Sequence, residues 1–482
     1  MNTNRLLARL VGCLMVSLCC LAALEVALRA NASARPAIDS AQLSPTPPMG
    51  WNSWDSYGEA VPEADVRASA TFMAENLKSF GWQYVTVDMG WYVTNHAVGV
   101  NAENAEFSLD TFGRFTPAVN TIPSAKDNAG FKPLADYIHS LGLKFGIHIL
   151  RGIPRQAVKQ NLSIAGSSFH AADAADTSDT CPWNPFNYGL KTSSSAAQAY
   201  YDSIARLYAE WGVDLVKVDC ISSHPYKGED IRMLREAFDK SGRAILLSLS
   251  PGPAPLEKAD EMAKYAQMWR VSDDIWDVWK SDKDFPRGPG NQFERTAKWT
   301  TYAGPGHWPD ADMLPFGSLR PTPGWGEPRE SRLTPDEQRT QFTLWCIARS
   351  PLIFGGSLVA LKDDPATLAL LTNSEVLDVD QHSTKSRAVI NTDSMAVWVS
   401  ESASSQAYNV AIFNLSDKPQ PFQLTPANLG LPKGSYRIRD LWLRADLAKL
   451  DSRSFLSSSL SPHASILVRF EPDNRMGSSN HR

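Results

Sequence analysis

Short apolar segments alternate with helical stretches over residues 44–373, and this alternation is the feature that most restricts the fold. Several of the segments are continuous apolar runs, which is typical of parallel strands that are buried on both faces. Repetition of strand and helix predicts parallel βαβ units, and eight strands are enough to close a barrel. The predicted strands are Met49–Trp54, Tyr84–Trp91, Lys144–Leu150, Asp214–Cys220, Ala244–Ser250, Met268–Asp274, a short one leading to Asp310, and Pro351–Gly355. The helices predicted between them are Ala64–Phe80, Gly130–Leu141, Ser195–Trp211, Asp230–Lys240 and Pro335–Ser350.

The pattern changes after about Ser383, where polar and apolar residues alternate as they do in antiparallel strands. The predicted fold is therefore an α/β (β/α)8 barrel over residues 35–380, followed by a C-terminal antiparallel β-sandwich over residues 381–473. The last nine residues, 474–482, are polar and are expected to be disordered. The sandwich strands are predicted at Met395–Ser400, Asn409–Asn414, Ser435–Leu443 and Ser465–Phe470.

The amino-terminal segment has the pattern of an export signal. Arg5 and Arg9 precede an apolar run from Leu10 to Leu24, and Ala32-Ser33-Ala34 offers a cleavage site between small residues. The run is short for a membrane span, although a retained anchor is the alternative. Residues 1–34 are thus predicted to be a signal peptide, and the mature protein to be secreted or periplasmic without stable membrane insertion.

Charge and cysteine content exclude several classes of function. The formal net charge is −5 and no basic stripe is present, so we expect no nucleic-acid partner. Cys181, Cys220 and Cys346 remain after signal removal, which is too few for a disulfide framework, although an exported protein could pair two of them. Since the sequence contains no CxxC, no HExxH and no close pair of histidines, we predict neither a metal nor a cofactor.

Polar residues stand at or just beyond the carboxyl ends of five predicted strands. Active sites of (β/α)8 barrels lie at that end, because the βα loops converge there. A single Asp in such a place could simply cap the next helix, but five polar residues from separate strands favour a site. The five are Asp88, His148, Asp219, Ser250 and Asp274.

Two of these positions could supply the paired carboxyl groups that cleave a glycosidic bond, which retaining enzymes hold about 5–5.5 Å apart. Asp219 closes its strand on the same side as Lys217, so it is either half of an ion pair or a nucleophile that a nearby cation keeps ionised. Asp274 follows Asp273, and the pair either caps the next helix or includes a proton donor. Spacing alone does not choose between Asp273 and Asp274.

Five ordered motifs between residues 45 and 375 resemble the signatures of glycoside hydrolase family 27, the α-galactosidase and α-N-acetylgalactosaminidase family. That family combines a (β/α)8 barrel with a β-sandwich, which agrees with the fold predicted from the alternation. The motifs are Thr46-Pro47-Pro48-Met49-Gly50-Trp51-Asn52-Ser53-Trp54, Val87-Asp88-Met89-Gly90-Trp91, Lys217-Val218-Asp219-Cys220, Arg270 with Asp274, and Gly304-Pro305-Gly306-His307-Trp308-Pro309-Asp310-Ala311-Asp312-Met313-Leu314.

The resemblance implies a role for each matching position. Asp219 would be the nucleophile and Asp274 the acid/base. The substrate-binding residues would be Lys217 at the 3- and 4-hydroxyls, Asp88 on the 4/6-hydroxyl side, Trp54 as an apolar wall, Arg270 near the 2-position and Met313 on the floor. A disulfide would join Cys220 to Cys181 and fix the long third connection, roughly residues 151–194, beside the site.

Three positions depart from the family pattern and leave the sugar open. Met89 stands where many α-galactosidases have a second aspartate, which allows a β-L-arabinopyranoside, a sugar without the 6-hydroxymethyl group. His148 replaces a common Tyr and is either a satisfied rim residue or a substrate contact. Ser250 stands near the place of a Glu at the 2-hydroxyl, and a small residue there resembles members that accept a 2-acetamido group.

The leading expectation is retaining hydrolysis of terminal α-D-galactosides in an oligosaccharide or polysaccharide. β-L-Arabinopyranosidase and α-N-acetylgalactosaminidase activities are alternatives on the same site, and an isomaltose-releasing dextranase is a remoter one. A transglycosylase would use the same residues. A carbohydrate-binding protein on an inactive barrel is the alternative from another class, but it predicts loss of a catalytic carboxylate, and both are present.

Overall fold

The structure, a computed structural model, describes residues 39–96, 104–320, 327–451 and 456–473. The predicted signal peptide and the predicted tail lie outside these ranges. Within them, no helix is both long enough and apolar enough to cross a membrane.

Eight parallel strands form the central sheet, with the spatial order β7-β6-β5-β4-β3-β2-β1-β8. Their bounds are β1 Met49–Asn52, β2 Tyr84–Val87, β3 Lys144–Leu150, β4 Leu215–Asp219, β5 Leu246–Leu249, β6 Met268–Arg270, β7 Trp308–Asp310 and β8 Leu352–Phe354. Consecutive strands are neighbours throughout, and β8 pairs with β1, as a barrel requires. All eight strands lie where the apolar segments predicted them.

The remaining gap, between β7 and β8, is closed by the residues that follow β7. Leu314 donates its backbone N–H to the carbonyl of Ile353 (2.8 Å) and accepts from Gly355 N (3.0 Å). It also forms a parallel bridge with Phe354. The barrel therefore closes through the segment that carries Met313, so this predicted floor residue is held by backbone bonds on its carboxyl side.

Several strands end earlier than predicted, and this moves the functional residues into loops. The first strand stops at Asn52 because Trp54 already begins a helical turn, and β2 stops at Val87 before a turn at Gly90. Gly90 has φ of 97°, a conformation that favours glycine, and a side chain there would meet Glu59. Asp88 and Met89 thus lie in the turn rather than in a strand.

Helices follow the strands and cover the outside of the barrel. The predicted helix Ser195–Trp211 is capped by the Ser194 hydroxyl and ends at Gly212, which has φ of 83°. The other helices are Ser40–Leu43, Trp54–Tyr57, Glu63–Asn76, Lys132–Ser140, Arg155–Lys159, Ala171–Ala174, Gly228–Ser241, Ala259–Tyr265, Gln292–Trp299, Pro335–Ala348, Pro365–Leu371 and Ser374–His382. Short 3-10 turns lie at Lys78–Phe80, Pro123–Asn128, Leu256–Lys258, Pro289–Asn291, Thr300–Tyr302 and Val359–Asp363.

The long third connection is itself folded. It contains an antiparallel three-stranded sheet made of Ile153–Pro154, Ala175–Thr180 and Asn187–Leu190. A small hairpin, Ser318–Leu319 with Arg329–Glu330, lies between β7 and β8. The third connection therefore has backbone hydrogen bonds of its own, which lets it hold side chains in place over the barrel end.

The C-terminal part is a two-sheet antiparallel unit. Its strands are β9 Ser383–Asn391, β10 Met395–Ser402, β11 Tyr408–Asn414, β12 Gln420–Leu424, β13 Tyr436–Asp440, β14 Ala445–Leu450, β15 Leu456–Leu460 and β16 Ser465–Pro472. The larger sheet has the order β9-β10-β11-β16-β13-β14, and β12 pairs with β15 in the smaller one. The predicted fold, a (β/α)8 barrel followed by an antiparallel β-sandwich, is confirmed.

The larger sheet is buried on both faces. Along β10, Val397 and Val399 belong to the sandwich core, whereas Trp398 belongs to the same apolar cluster as the barrel. The ring of Phe413 meets Phe293 of a barrel helix edge-on at 5.0 Å. Alternate side chains along the strand therefore point to opposite faces of the sheet, and each face packs in a different apolar core.

Candidate active site

A pocket of about 360 Å³ opens at the carboxyl ends of the barrel strands. All the predicted catalytic and substrate-binding residues line it except Arg270, which contacts Asp274. Such a site is expected where the βα loops of the barrel converge. The lining residues are Trp54, Asp55, Asp88, Met89, His148, Trp183, Lys217, Asp219, His224, Ser250, Pro251, Asp273, Asp274, Ile275, Trp276, Phe285 and Met313.

An ion pair between Lys217 and Asp88 lies at the closed end of the pocket. The Lys217 ammonium donates to Asp88 Oδ2 at 2.9 Å, and the same oxygen accepts from Asn52 Nδ2 at 2.6 Å. The other oxygen, Oδ1, accepts from the backbone N–H of Met89 at 2.8 Å. Burial alone would raise the pKa of Asp88, but Lys217 outweighs it and holds that pKa well below its usual range. Asp88 is therefore an anion whose donors are fixed before any sugar arrives.

Asp219, at the end of β4, is half-buried on the pocket wall. Its Oδ2 accepts from the indole N–H of Trp183 at 3.1 Å and lies 3.9 Å from His148 Nε2. Burial alone would raise the pKa of Asp219, but His148, Lys217 and the backbone N–H of Cys220 outweigh it, so this pKa lies below its usual value. The carboxylate is therefore ionised at neutral pH.

Of the two alternatives for Asp219, a direct ion pair with Lys217 is not the arrangement found. Although both side chains point to the same side of β4, the ammonium of Lys217 contacts Asp88, which follows β2, across the intervening strand β3. In register, Lys217 is paired with His148 of β3. His148 is buried, and its Nδ1 has no hydrogen-bond partner among the described residues. The histidine thus lies beside Asp219 rather than on an exposed rim.

The third connection is attached to the residue that follows Asp219. Cys220 forms a disulfide with Cys181, the pairing that the family resemblance implied. Buried Arg151 donates to the carbonyl of Cys220 at 2.7 Å and binds both oxygens of Asp179 at 2.8 Å. Trp183, two residues beyond the disulfide, is thereby held against Asp219.

Arg270 contacts Asp274, so the structure distinguishes the two adjacent aspartates that sequence spacing could not. Its guanidinium donates to Asp274 Oδ1 at 3.1 Å, and the Asp274 side chain is 43% exposed toward the opening. Asp273 instead faces His224, with 3.4 Å between Oδ1 and Nε2. Burial raises the pKa of Asp273, and His224 opposes that effect. The two carboxyl groups therefore have different partners within one pocket.

Asp312 supports Asp274 from behind. Its Oδ2 accepts from Arg270 Nη2 at 2.6 Å and from the backbone N–H of Ile275 at 2.6 Å, so it holds both the arginine and the chain next to Asp274. Burial raises the pKa of Asp312 to about 7 against the opposing charge of Arg270, and the neighbouring carboxylates of Asp274 and Asp310 add to the rise. The residue has φ of 87°, which costs backbone energy for a non-glycine residue.

Met89 and Ser250, which together with His148 left the sugar open, line the pocket. Met89 is partly buried beside Asp88, and its sulfur lies 3.2 Å from Asn184 Nδ2. Ser250, directly after β5, is buried, and its carbonyl accepts from the backbone N–H of Ile221 at 3.1 Å. The side chains at these points are therefore a thioether and a small hydroxyl rather than carboxylates.

Seven further lining residues were not predicted as site residues: Asp55, Trp183, His224, Pro251, Ile275, Trp276 and Phe285. Trp183 lies in the third connection, whose length is typical of a substrate wall. His224 and Phe285 lie in loops whose irregular sequence carries no periodic signal. Asp55 lies next to Trp54, and burial raises its pKa well above the usual value. Neither of its oxygens has a hydrogen-bond partner among the described residues.

Comparison with known proteins places this arrangement in a family. Residues 187–382 match the family model for alpha galactosidase A, and residues 392–470 match that for the alpha galactosidase C-terminal beta sandwich domain. The chain is 30% identical to the alpha-galactosidase A of Cellvibrio japonicus over 351 residues, 70% of this chain and 68% of that one. It is 28% identical to the alpha-galactosidase of Oryza sativa over 427 residues, 87% of this chain and 84% of that one.

A solved structure extends the likeness over nearly the whole fold. The β-L-arabinopyranosidase of family 27 from Geobacillus stearothermophilus superposes with a TM-score of 0.85 at 47% identity, covering 92% of this chain and 99% of that one. A variant of that enzyme in complex with arabinose gives a TM-score of 0.84 at 48% identity, covering 90% and 99% of the two chains. The chain therefore belongs to glycoside hydrolase family 27, and it is a glycoside hydrolase that acts on carbohydrate.

Proposed function

We propose that the protein is a retaining exo-glycosidase that prefers terminal β-L-arabinopyranosides and cleaves α-D-galactosides more slowly. The observation that carries the choice of sugar is Met89, a thioether at the closed end of the pocket beside Asp88. β-L-Arabinopyranose has the ring configuration of α-D-galactose but lacks the hydroxymethyl group. A site that offers a thioether on that side binds the smaller sugar without leaving a hydroxyl unpaired.

Asp219 is the proposed nucleophile. Its ionised state and its position at the end of β4 support attack on the anomeric carbon, which would form a covalent glycosyl ester. The indole N–H of Trp183 and the nearby His148 stabilise the carboxylate and fix its orientation. The same two groups would stabilise the carboxylate again when the ester breaks.

Asp274 is the proposed acid/base. Its contact with Arg270, and through it with Asp312, favours Asp274 over Asp273 as the residue with a fixed orientation. Its greater exposure supports a position near the leaving group, since the leaving part of the substrate points out of the pocket. In the first step it would protonate the glycosidic oxygen, and in the second it would accept a proton from water.

The ring hydroxyls would be held by the ion pair at the closed end. Lys217 has hydrogens left to donate to the 3- and 4-hydroxyls, and Asp88 can accept from the 4-hydroxyl. Because both groups are already oriented, binding requires little reorganisation. Trp54 and Met313 would pack against the apolar faces of the ring, as the family resemblance implies.

The comparison with the Geobacillus β-L-arabinopyranosidase supports this order of substrates, since its identity to this chain exceeds that of the α-galactosidases described above. The α-galactosidase relatives support the second candidate, which uses the same contacts. Ser250 keeps α-N-acetylgalactosaminide as a third substrate to test, because a buried serine leaves more room than a glutamate for a 2-acetamido group.

The test is a panel of four nitrophenyl glycosides: β-L-arabinopyranoside, α-D-galactoside, α-N-acetylgalactosaminide and α-glucoside. We expect the highest kcat/KM for the arabinopyranoside. The Met89→Asp variant should shift kcat/KM toward the galactoside by about ten- to a hundredfold, the effect of one hydrogen bond to a charged group. Asn184 can donate to the new carboxylate, so the variant does not bury an unpaired charge.

Met89→Leu is the matched control, since it changes the side chain without adding an acceptor. A wild-type enzyme that prefers the galactoside, or a Met89→Asp variant with an unchanged substrate ratio, would refute the role of Met89. Failure to cleave any of the four substrates would refute the exo-acting assignment itself.

We also propose that residues 1–34 direct export and that the mature protein is secreted or periplasmic. The disulfide at Cys220 supports this, because such bonds persist in oxidising compartments. Amino-terminal sequencing of the protein recovered outside the cytoplasm tests it, and a mature chain that begins at Met1 would contradict it.

A further inference from the structure

The pocket changes character from its closed end to its opening. Asp88 and His148 are almost completely buried, whereas the side chains of Trp183, Phe285 and His224 are 44%, 60% and 53% exposed. An exo-acting enzyme binds the terminal sugar at the closed end, so the rest of the substrate must pass the exposed residues. These exposed side chains are therefore the ones that contact the leaving group.

We propose that Trp183, His224 and Phe285 form a leaving-group subsite that binds the pyranose ring on the far side of the scissile bond. The proposal rests on the exo-acting function argued above and adds the class of leaving group: a sugar ring rather than a small alcohol.

Trp183 lies at the boundary between the two sugars. Its indole N–H donates to Asp219 Oδ2 at 3.1 Å, so one edge of the ring is held at the proposed nucleophile. The disulfide of Cys181, two residues earlier, restrains the backbone of this segment. A flat aromatic ring that is held in this way presents an apolar face to the next sugar, whose axial C–H bonds form an apolar face of their own.

Phe285 adds a second aromatic surface from a different loop. It is among the most exposed large apolar side chains of the described residues, and it lines this pocket. An aromatic side chain exposed at a pocket opening is a common sign of a binding surface, whereas the folded core gains nothing from it. The loop that carries it begins just after Asp274, so the aromatic ring and the proposed acid belong to one segment.

His224 and Asp273 supply polar groups at the same opening. His224 meets Trp183 edge-on, with 6.4 Å between ring centroids, and its Nε2 lies 3.4 Å from Asp273 Oδ1. The backbone of His224 has φ of 60°, a left-handed conformation that costs energy for a non-glycine residue, and its side chain lines the opening. Aromatic faces together with an imidazole and a carboxylate match the apolar faces and edge hydroxyls of a pyranose.

The first test compares two substrates with the same terminal sugar, the one that the glycoside panel identifies as best. One is a disaccharide and the other is the glycosyl fluoride, whose leaving group cannot occupy the subsite. For Phe285→Ala and for His224→Ala we expect the ratio of kcat/KM, disaccharide over fluoride, to fall about tenfold. Trp183→Phe keeps an aromatic face but loses the donor to Asp219, so it should lower kcat on both substrates and change the ratio much less.

Phe112→Ala is the matched control, because Phe112 is a half-exposed aromatic residue that does not line the pocket. It should leave the ratio within about twofold of wild type. If the ratio for Phe285→Ala and His224→Ala also stays within that limit, the subsite is refuted. A wild-type enzyme that cleaves neither substrate refutes the exo-acting function instead, so the two failures are distinguishable.

A second measurement uses the wild-type enzyme and does not depend on folding of a variant. When Asp219 attacks a 2-deoxy-2-fluoro glycosyl fluoride, the anomeric C–F bond breaks, fluoride leaves with the electron pair, and the glycosyl ester accumulates. An added acceptor then releases it. The acceptor oxygen bonds to the anomeric carbon, the ester bond breaks with its electron pair returning to Asp219, and the acceptor proton passes to Asp274. Reactivation that saturates with a pyranose acceptor but rises linearly with methanol supports the subsite, and linear dependence on both overturns it.

Discussion

Replacing Lys217 by Met removes the ammonium group that contacts Asp88 and keeps most of the apolar length of the side chain. The bond that is lost is 2.9 Å long and joins a largely buried cation to a carboxylate with only 3% of its surface exposed. Asp88 keeps its hydrogen bonds from Asn52 and from the backbone N–H of Met89. The variant therefore leaves a buried anion with two of its three donors.

Removing one partner of a buried ion pair costs about 3–5 kcal/mol, because the other charge stays behind without water. The remaining hydrogen bonds of Asp88 lower the cost, and so does proton uptake by Asp88 itself. We therefore expect Lys217→Met to reduce the free energy of unfolding at pH 7 by about 2–3 kcal/mol. The double variant Asp88→Asn/Lys217→Met should recover part of that loss, since it buries no charge.

The effect should depend on pH in a defined direction. The pKa of Asp88 in the folded protein is lowered, so its contribution to stability is complete above the unfolded value of about 3.9 and is lost as pH falls toward the folded value. Without Lys217 the pKa of Asp88 rises, and the variant loses less stability on acidification. The difference between wild type and variant should therefore be largest near pH 7 and should shrink between about pH 4 and 3.

Denaturant unfolding at pH 7, 5, 4 and 3 measures this difference without relying on activity, which Lys217→Met should also impair. Lys132→Met is the matched control: Lys132 pairs with Asp136 at 2.8 Å, but both side chains are more than half exposed. An exposed pair of this kind contributes about 0–1 kcal/mol. If the two lysine variants lose equal stability, or if the loss for Lys217→Met does not change with pH, the assigned role of burial is wrong.

Three other changes test separate parts of the site. Asp219→Ala should leave less than about 1% of turnover, while Asp274→Ala should spare a nitrophenyl glycoside more than a disaccharide, because a good leaving group needs less protonation; equal losses for Asp274→Ala would contradict its role as acid. Replacing Cys181 and Cys220 together by Ala opens a loop of 39 residues, so the free energy of unfolding should fall by up to about 4 kcal/mol in a denaturant titration, with reduced kcat. Asp312→Asn should lower kcat more than it changes KM, since it loosens the arginine behind Asp274. Because the pKa of Asp312 is raised to about 7, the wild type loses stability as pH rises from about 4 to 7, and Asp312→Asn should lack that part of the slope.

The order of the barrel strands and most of the site could be predicted from the sequence. Apolar runs such as Leu246–Leu249 are long enough to show a buried strand, and the barrel brings the residue after each strand to one end. Asp88, Asp219 and Ser250 lie in one pocket for that reason. The pairing of Cys181 with Cys220 came from the family resemblance rather than from spacing.

The partners within the site could not be predicted in the same way. Strand alternation predicts the face of β4 on which Lys217 lies. It does not predict the partner, because the long, flexible side chain extends past β3 to Asp88. Phe285 and His224 come from irregular loops, where side-chain direction depends on tertiary contacts rather than on a period. Leu314 closes the barrel from such a loop, so no strand was predicted there.

The larger sheet of the C-terminal part packs against the barrel on one face and against the sandwich core on the other. Because Trp398 belongs to the barrel's apolar cluster while Val397 and Val399 belong to the sandwich core, separating the two parts would expose one face of every central strand. Two side chains of the C-terminal part also contact the barrel. The indole of Trp442 donates to Thr343 Oγ1 at 2.9 Å, and His463 stacks on Trp279 in the loop that follows Asp274. Thermal unfolding should then be a single cooperative transition, and the sandwich is a fixed wall of the catalytic part rather than a transferable module.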